Sequence, residues 1–159
     1  MKLQVTARIA AAAIVALSLA SCSFAASITT SQQYSASDGV RLELEDVTGL
    51  NLLVISTDEG APAALIGSFD NSGDEPVSVT VGLGGEDTSF TVPAGGVVAL
   101  GLDEDETAVV GTSTAAPGLI ASVSVETPRS GMQDVDVPVL DGTLEEYADT
   151  LEMLQSVAG

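Results

Sequence analysis

The chain has 159 residues, of which 23 are acidic and four basic, with no histidine and a formal net charge of −19. This acidity excludes nucleic acid as a partner, because DNA and RNA binding needs a basic face. Without histidine, catalytic sites of the Ser-His-Asp and Cys-His types are excluded too. Carboxylates are so abundant that no pair stands out as an acid-base site, and we expect no enzymatic activity and no cofactor.

The first 21 residues have the pattern of an export signal. Lys2 and Arg8 give a positive start, and Ile9 to Ala20 is an uncharged apolar run too short to span a bilayer as a helix. Leu19-Ala20-Ser21-Cys22 then resembles the lipobox of bacterial lipoproteins, in which the cysteine becomes the first mature residue and is lipidated. The alternative is a secretory signal cleaved at a small-residue site such as Ser23-Phe24-Ala25.

Cys22 is the only cysteine, which supports lipidation. A free thiol is a liability on an exported protein, whereas lipidation converts the sulfur to a thioether. We therefore expect residues 1–21 to be removed and Cys22 to carry acyl chains such as palmitate. These chains would attach the protein to the outer face of the cell membrane.

Residues 22–37 are rich in Ser, Thr, Ala and Gln without a sustained period, which is typical of a flexible tether. From residue 38 onward, apolar and polar residues alternate with the period of two that indicates β-strands. Residues 77–81 show this alternation most clearly. Leu52 to Ile55 is instead a continuous apolar run, which predicts a strand buried on both faces.

Eight or nine short strands separated by turn signals predict an all-β fold over residues 38–142, an antiparallel sandwich of Ig-like or cupredoxin-like type. Within the last of them, residues 135–139, Pro138 cannot donate to a ladder, so we expect the strand to end there or to lie at an edge.

The C-terminal residues change to helical spacing. Thr143 with Glu146 three positions later is typical of a capping box, and we predict a helix over residues 143–157. Its apolar face either packs on the sandwich, which we favour, or docks on a partner.

The acidic run Asp103 to Glu106 is the candidate cation site. Asp103 and Asp105 alternate, so their carboxylates could ligate Ca²⁺. The run lacks the length and the bidentate Glu of an EF-hand, and a solvated loop is the simpler interpretation. The overall acidity would then serve solubility and keep the domain off its own membrane.

Three stretches carry a family resemblance: Tyr34 with Ser37-Asp38-Gly39-Val40, Gly49 to Ile55, and Gly67 to Pro76. From about Leu44 to Leu140 the chain resembles small envelope lipoproteins of high-GC Gram-positive bacteria, the Actinobacteria. The resemblance implies an exported, extracellular domain.

The turns at Asn71 to Pro76 and Val92 to Gly96, with the strand Val135 to Val139, resemble the cupredoxin-like periplasmic copper chaperones. This resemblance implies the sandwich fold. It implies no copper site, because that family binds copper through His and Met. This chain has no His, and Met132 and Met153 match no ligand position.

These features predict a non-enzymatic, lipid-anchored envelope protein. Its partners would be the membrane, through Cys22, and another envelope protein with a basic surface that docks on the acidic sandwich. The alternative is a cation- or metal-handling domain, using acidic loops for Ca²⁺ or related to the copper chaperones. A third interpretation is a surface-spacing protein with no dedicated partner.

Overall fold

The computed structural model describes residues 37–157. The predicted signal, Cys22 and the tether up to residue 36 lie outside the described residues. The all-β prediction with one C-terminal helix is confirmed. The elements are β1 (Val40–Glu43), β2 (Thr48–Ser56), β3 (Pro62–Asn71), β4 (Val77–Leu83), β5 (Glu86–Val92), β6 (Gly96–Leu100), β7 (Val109–Thr112), β8 (Ile120–Thr127), β9 (Gly131–Leu140) and α1 (Glu145–Val157).

The strands form two layers that one long strand joins. The hydrogen-bonded order is β5-β4-β8-β9-β2-β3-β6, with β1 added to β2 and β7 added to β3. All pairs are antiparallel except β2 with β9, which pair in parallel at Val54↔Val139 and Ile55↔Leu140. Because β9 pairs with β8 along its length and reaches β2 only at its end, it makes the two layers one nearly closed sheet.

The main core lies between the layers and follows the predicted alternation. Val79 and Val81 of β4 are fully buried, whereas Ser78 beside them is exposed. Phe69 of β3 is fully buried, and its ring centroid lies 5.7 Å from that of Phe90 on β5 in the other layer. Elsewhere in the main core, short side chains fill the space between the layers, because packed sheets lie only about 10 Å apart.

A second, smaller cluster lies on the outer face of β2 and β3, under α1. Leu53 and Ile55 pack there against Tyr147 of the helix, with Ile66, Leu140 and Leu151 at its margin. Leu52 and Val54 point into the main core. The prediction that Leu52 to Ile55 is buried on both faces is therefore confirmed, with all four residues 0 % exposed.

The prediction for Pro138 is wrong. β9 continues to Leu140 and has β8 on one side and β2 on the other. Val139 directs its backbone toward β8, where its N–H donates to the Leu119 carbonyl and its carbonyl accepts from the Gly118 N–H. The nitrogen of Pro138 therefore points away from β8, toward the side on which β2 lies. On that side β9 pairs with β2 only from Val139 onward, so no hydrogen bond is lost at Pro138.

The predicted helix start is two residues early. α1 begins at Glu145, and the hydroxyl and backbone N–H of Thr143 both donate to the Asp141 carboxylate. Thr143 thus forms an Asx-type turn with Asp141 before the helix, where the sequence predicted a capping box.

Candidate functional site

An open cavity lies at one end of the sandwich, where three turns meet. We call it the end cleft. Its volume is about 680 Å³. Its walls are the β1–β2 turn (residues 44–48), the β3–β4 turn (residues 71–77) and Pro128 with Arg129 from the β8–β9 turn.

A buried amide fixes the β3–β4 wall. Asn71 is 0 % exposed, and its Nδ2 donates to the carbonyls of Glu75 at 2.7 Å and Val92 at 3.2 Å. Its Oδ1 accepts from the Gly73 N–H at 2.9 Å. Because both ends of the amide are engaged, the turn is held in one conformation.

A buried hydroxyl ties the other two walls together. Thr127 at the end of β8 donates from Oγ1 to the Asp46 carboxylate at 2.9 Å and accepts from the Ser130 N–H at 3.2 Å. The Ser130 Oγ accepts in turn from the Glu45 N–H at 3.0 Å. The bonds of Asp46 and Glu45 connect residues more than 80 positions apart in the chain.

The end cleft is acidic. Glu45, Asp46, Asp74 and Glu75 line it, and the one basic side chain among its lining residues is Arg129. The Arg129 guanidinium lies 3.8 Å from the Glu75 carboxylate, and both side chains are exposed. Such an exposed pair contributes less than about 1 kcal/mol. It leaves the cleft with three carboxylates that no arginine offsets.

Sequence reasoning missed this cleft. It identified Asn71 to Pro76 as a turn, but not as one wall of a cavity. No local signal could have done so, because the walls come from three turns that only the pairing of β4 with β8 and of β2 with β3 brings together.

The predicted cation ligands lie in the exposed loop between β6 and β7. The Asp103 N–H donates to the Glu106 carboxylate at 3.2 Å, and the Asp103 backbone carbonyl accepts from the Glu106 N–H at 3.1 Å. Asp103 and Glu106 line a cavity of about 350 Å³ with Glu146 of α1, whereas Asp105 is exposed and outside it. Between residues 37 and 157, no group of three His, Cys, Asp or Glu side chains is arranged to bind a metal. The Ca²⁺ hypothesis stays a prediction.

Near the start of the described chain, Asp38 accepts a hydrogen bond of 2.9 Å from the Tyr147 hydroxyl. Burial raises the pKa of Tyr147 to about 12, and the hydrogen bond and negative charge of Asp38 and the charge of Glu146 add to the shift. Tyr147 therefore stays protonated at neutral pH and serves as a link between α1 and Asp38. In the segment between β9 and α1, hydrogen bonds from Thr143 lower the pKa of Asp141.

Met132 and Met153, the methionines of the described residues, do not converge. Met132 is exposed at the start of β9, in the layer formed with β8. Met153 lies on α1, which covers the outer face of the other layer. With no histidine in the sequence, the soft ligands that copper(I) prefers do not form a site in the described residues.

In the described part of the chain, no helix combines the length and apolarity needed to cross a membrane.

Comparison with known proteins supports the fold. No protein-family model matches this chain. No curated protein sequence matches it either. Among solved structures it is similar to a copper-bound PCuAC domain from PmoF2, with a TM-score of 0.50, 16 % identity, and coverage of 64 % of this chain and 98 % of that one. It is also similar to an apo PCuAC domain from PmoF1, with a TM-score of 0.50, 13 % identity, and coverage of 63 % and 98 %. At these identities the likeness concerns the fold alone.

Proposed function

We propose that this chain is a non-enzymatic, lipid-anchored envelope protein whose end cleft docks a basic segment of another exported protein. The observation that carries the proposal is the cleft itself, an acidic cavity of about 680 Å³ with walls fixed by hydrogen bonds of the buried side chains Asn71 and Thr127. Preformed walls reduce the ordering cost of binding, and the carboxylates favour a cationic occupant.

The charge of the whole domain supports a basic partner. Residues 37–157 contain all 23 acidic residues and only two basic ones, a net charge of −21. Both arginines are already paired, Arg41 with Glu43 at 3.0 Å and Arg129 with Glu75 at 3.8 Å. Such a field accelerates encounter with a basic surface and disfavours acidic ones.

The anchor is supported by the sequence pattern at residues 19–22. Mass spectrometry of the N-terminal peptide tests it directly, and we expect Cys22 to be the first residue and to carry acyl chains. Cys22→Ala should release the protein from cells. An unacylated native protein, or unchanged cell association of the variant, would contradict the anchor.

Crosslinking in living cells tests the docking. A photo-crosslinking residue at Ser72, in the β3–β4 wall, should repeatedly capture one exported protein. Capture should fall in Glu45→Gln with Asp74→Asn, because both carboxylates line the cleft.

The matched control is Glu86→Gln with Asp87→Asn, which removes the same charge at the exposed start of β5. Equal loss in both double variants would show that net charge matters and the cleft does not. Silence at Ser72 would favour the surface-spacing interpretation.

A second candidate is metal handling, favoured by the likeness to PCuAC domains of which one is copper-bound. The residues do not fit copper(I), as described above, so a hard cation such as Ca²⁺ at Asp103 and Asp105 is the form to test. Calorimetry should then show heat on Ca²⁺ addition and a rise in melting temperature. Absence of both would end this candidate.

A further inference from the structure

The end of the sandwich opposite the end cleft carries an unusual pair of exposed apolar side chains. Leu119 and Ile120 are 57 % and 58 % exposed and adjacent in sequence. Ile120 opens β8 and lies opposite Pro138 of β9 on the outer face of the sheet. We call Leu119 and Ile120 the apolar knob.

Backbone hydrogen bonds hold the backbone of the apolar knob in place. The Leu119 carbonyl accepts from the Val139 N–H at 2.9 Å, and the Leu119 N–H donates to the Ala116 carbonyl at 3.1 Å. The Gly118 N–H donates to the Val139 carbonyl at 2.8 Å. Two adjacent exposed apolar side chains on a domain this acidic are available for an apolar contact.

The knob lies close to where the chain enters the domain. Val40 at the start of β1 pairs with Leu52, and Val139 pairs with Val54 on the same edge of β2. Val40 and Val139 therefore lie opposite positions of β2 that are two residues, or about 7 Å, apart. Leu119 lies one further strand spacing, about 5 Å, beyond Val139. Residues 1–36, which precede this point, contain the predicted anchor Cys22.

The knob and the end cleft occupy opposite ends of one strand. β8 runs from Ile120 at the knob to Thr127, which is followed by the cleft residues Pro128 and Arg129. An eight-residue strand separates its ends by about 23 Å. A domain that rests on its knob end therefore presents its cleft away from that support.

We propose that the apolar knob inserts into the interface of the bilayer that carries the anchor and thereby turns the end cleft outward. The inference rests on the attachment at Cys22 in the proposed function. The fifteen residues from Ser23 to Ser37 would span about 20–23 Å as a coil, so the knob can reach the bilayer without strain.

The contact is apolar and works against charge. Asp136 lies two pairs along β8 and β9 from Ile120, opposite Ser122. The Asp58–Glu59 turn approaches the β7–β8 loop through the bond from the Gly60 N–H to the Ser113 carbonyl. Anionic lipid should therefore weaken insertion, and added salt should restore part of it.

The test uses the chain from Cys22 onward, which contains the whole described domain. Because Cys22 is the sole cysteine, its thiol can be coupled to a maleimide lipid in phosphatidylcholine vesicles, so the outcome does not depend on processing in cells. The chain has no tryptophan, so Ile120→Trp is a single fluorescent reporter. Val97→Trp is the matched control, since Val97 is 57 % exposed on β6 and pairs with Asp70 near the cleft.

We expect brominated phosphatidylcholine to quench Ile120→Trp and shift its emission to the blue, and to leave Val97→Trp unchanged. Equal quenching at both positions, or none at Ile120→Trp, would overturn the proposal. The latter result would leave the knob as a contact for a protein.

A second measurement avoids the affinity of tryptophan for interfaces. Neutron reflectometry should place the wild-type domain against the headgroups, and Leu119→Ser with Ile120→Ser should move it outward by up to about 20 Å, the span of the tether. Val97→Ser is the control, and equal profiles in all variants would contradict insertion. If only the proposed docking fails, crosslinking at Ser72 captures no protein while the quenching of Ile120→Trp is still observed.

Discussion

The two apolar clusters of the domain differ in how they are built. The main core between the layers buries 18 residues, whereas the cluster under α1 buries Leu53, Ile55 and Tyr147 only. Strands from both layers supply the first, so no strand can leave without disrupting it. The second depends on one helix of 13 residues. The comparison indicates that α1 can open locally while the sandwich stays folded.

The largest expected effect is in the main core. Phe69→Ala should destabilise the protein by about 3–5 kcal/mol, because Phe69 is fully buried and packs on Phe90. Denaturant unfolding measures this loss. Val97→Ala, at an exposed position, is the control and should stay within about 0.5 kcal/mol of wild type. A small effect of Phe69→Ala would show that the layers are not held by this contact.

Leu154→Ala should have a smaller and local effect. Leu154 is 5 % exposed on α1, so its truncation removes buried contacts at a cost of about 2 kcal/mol. Hydrogen exchange should show faster exchange along residues 145–157 with β4 and β8 unchanged. Faster exchange throughout the strands would mean that the helix and the sandwich unfold together.

Tyr147→Phe removes the hydroxyl that donates to Asp38 and should cost about 1 kcal/mol. The same group makes stability depend on pH. The pKa of Tyr147 is raised from 10.0 to about 12, so the unfolded chain loses this proton first. Stability should therefore fall as pH rises from about 10 to 12 in the wild type. The phenylalanine variant should lack that component, and identical pH profiles would contradict the assignment.

The smallest effect should come from salt. α1 carries Glu145, Asp149 and Glu152 at spacings of four and three residues, and like charges at such spacings repel by a few tenths of a kcal/mol. Salt at about 0.5 M screens this repulsion and should slow hydrogen exchange in α1 more than in β4. Glu152→Gln should reduce the salt response, and an equal response in both elements would contradict this account.

Most of the fold prediction came from the period at which apolar residues recur in the sequence. The alternating valines of residues 77–81 and the helical spacing after Thr143 identify their elements because burial on one face leaves a period in the sequence. Pro138 misled the prediction because a missing backbone N–H is unfavourable only where a neighbouring strand would accept its hydrogen bond. Which side of β9 is paired at Pro138 depends on how β8 and β2 lie beside it. The end cleft left no local trace, since Asp46 and Thr127 meet only in the folded chain.

The sequence by itself determined that the domain is all-β with a terminal helix, that its surface is strongly acidic, and that histidine chemistry is absent. It even determined that Leu52 to Ile55 is buried on both faces. Only the tertiary structure decided what covers each face, because period and composition report that a side chain is buried and not against what. The same limit applies to the end cleft, whose walls meet because β2 pairs with β3 and β4 pairs with β8. It applies also to the apolar knob, which lies near the start of β1 because the end of β9 pairs with β2.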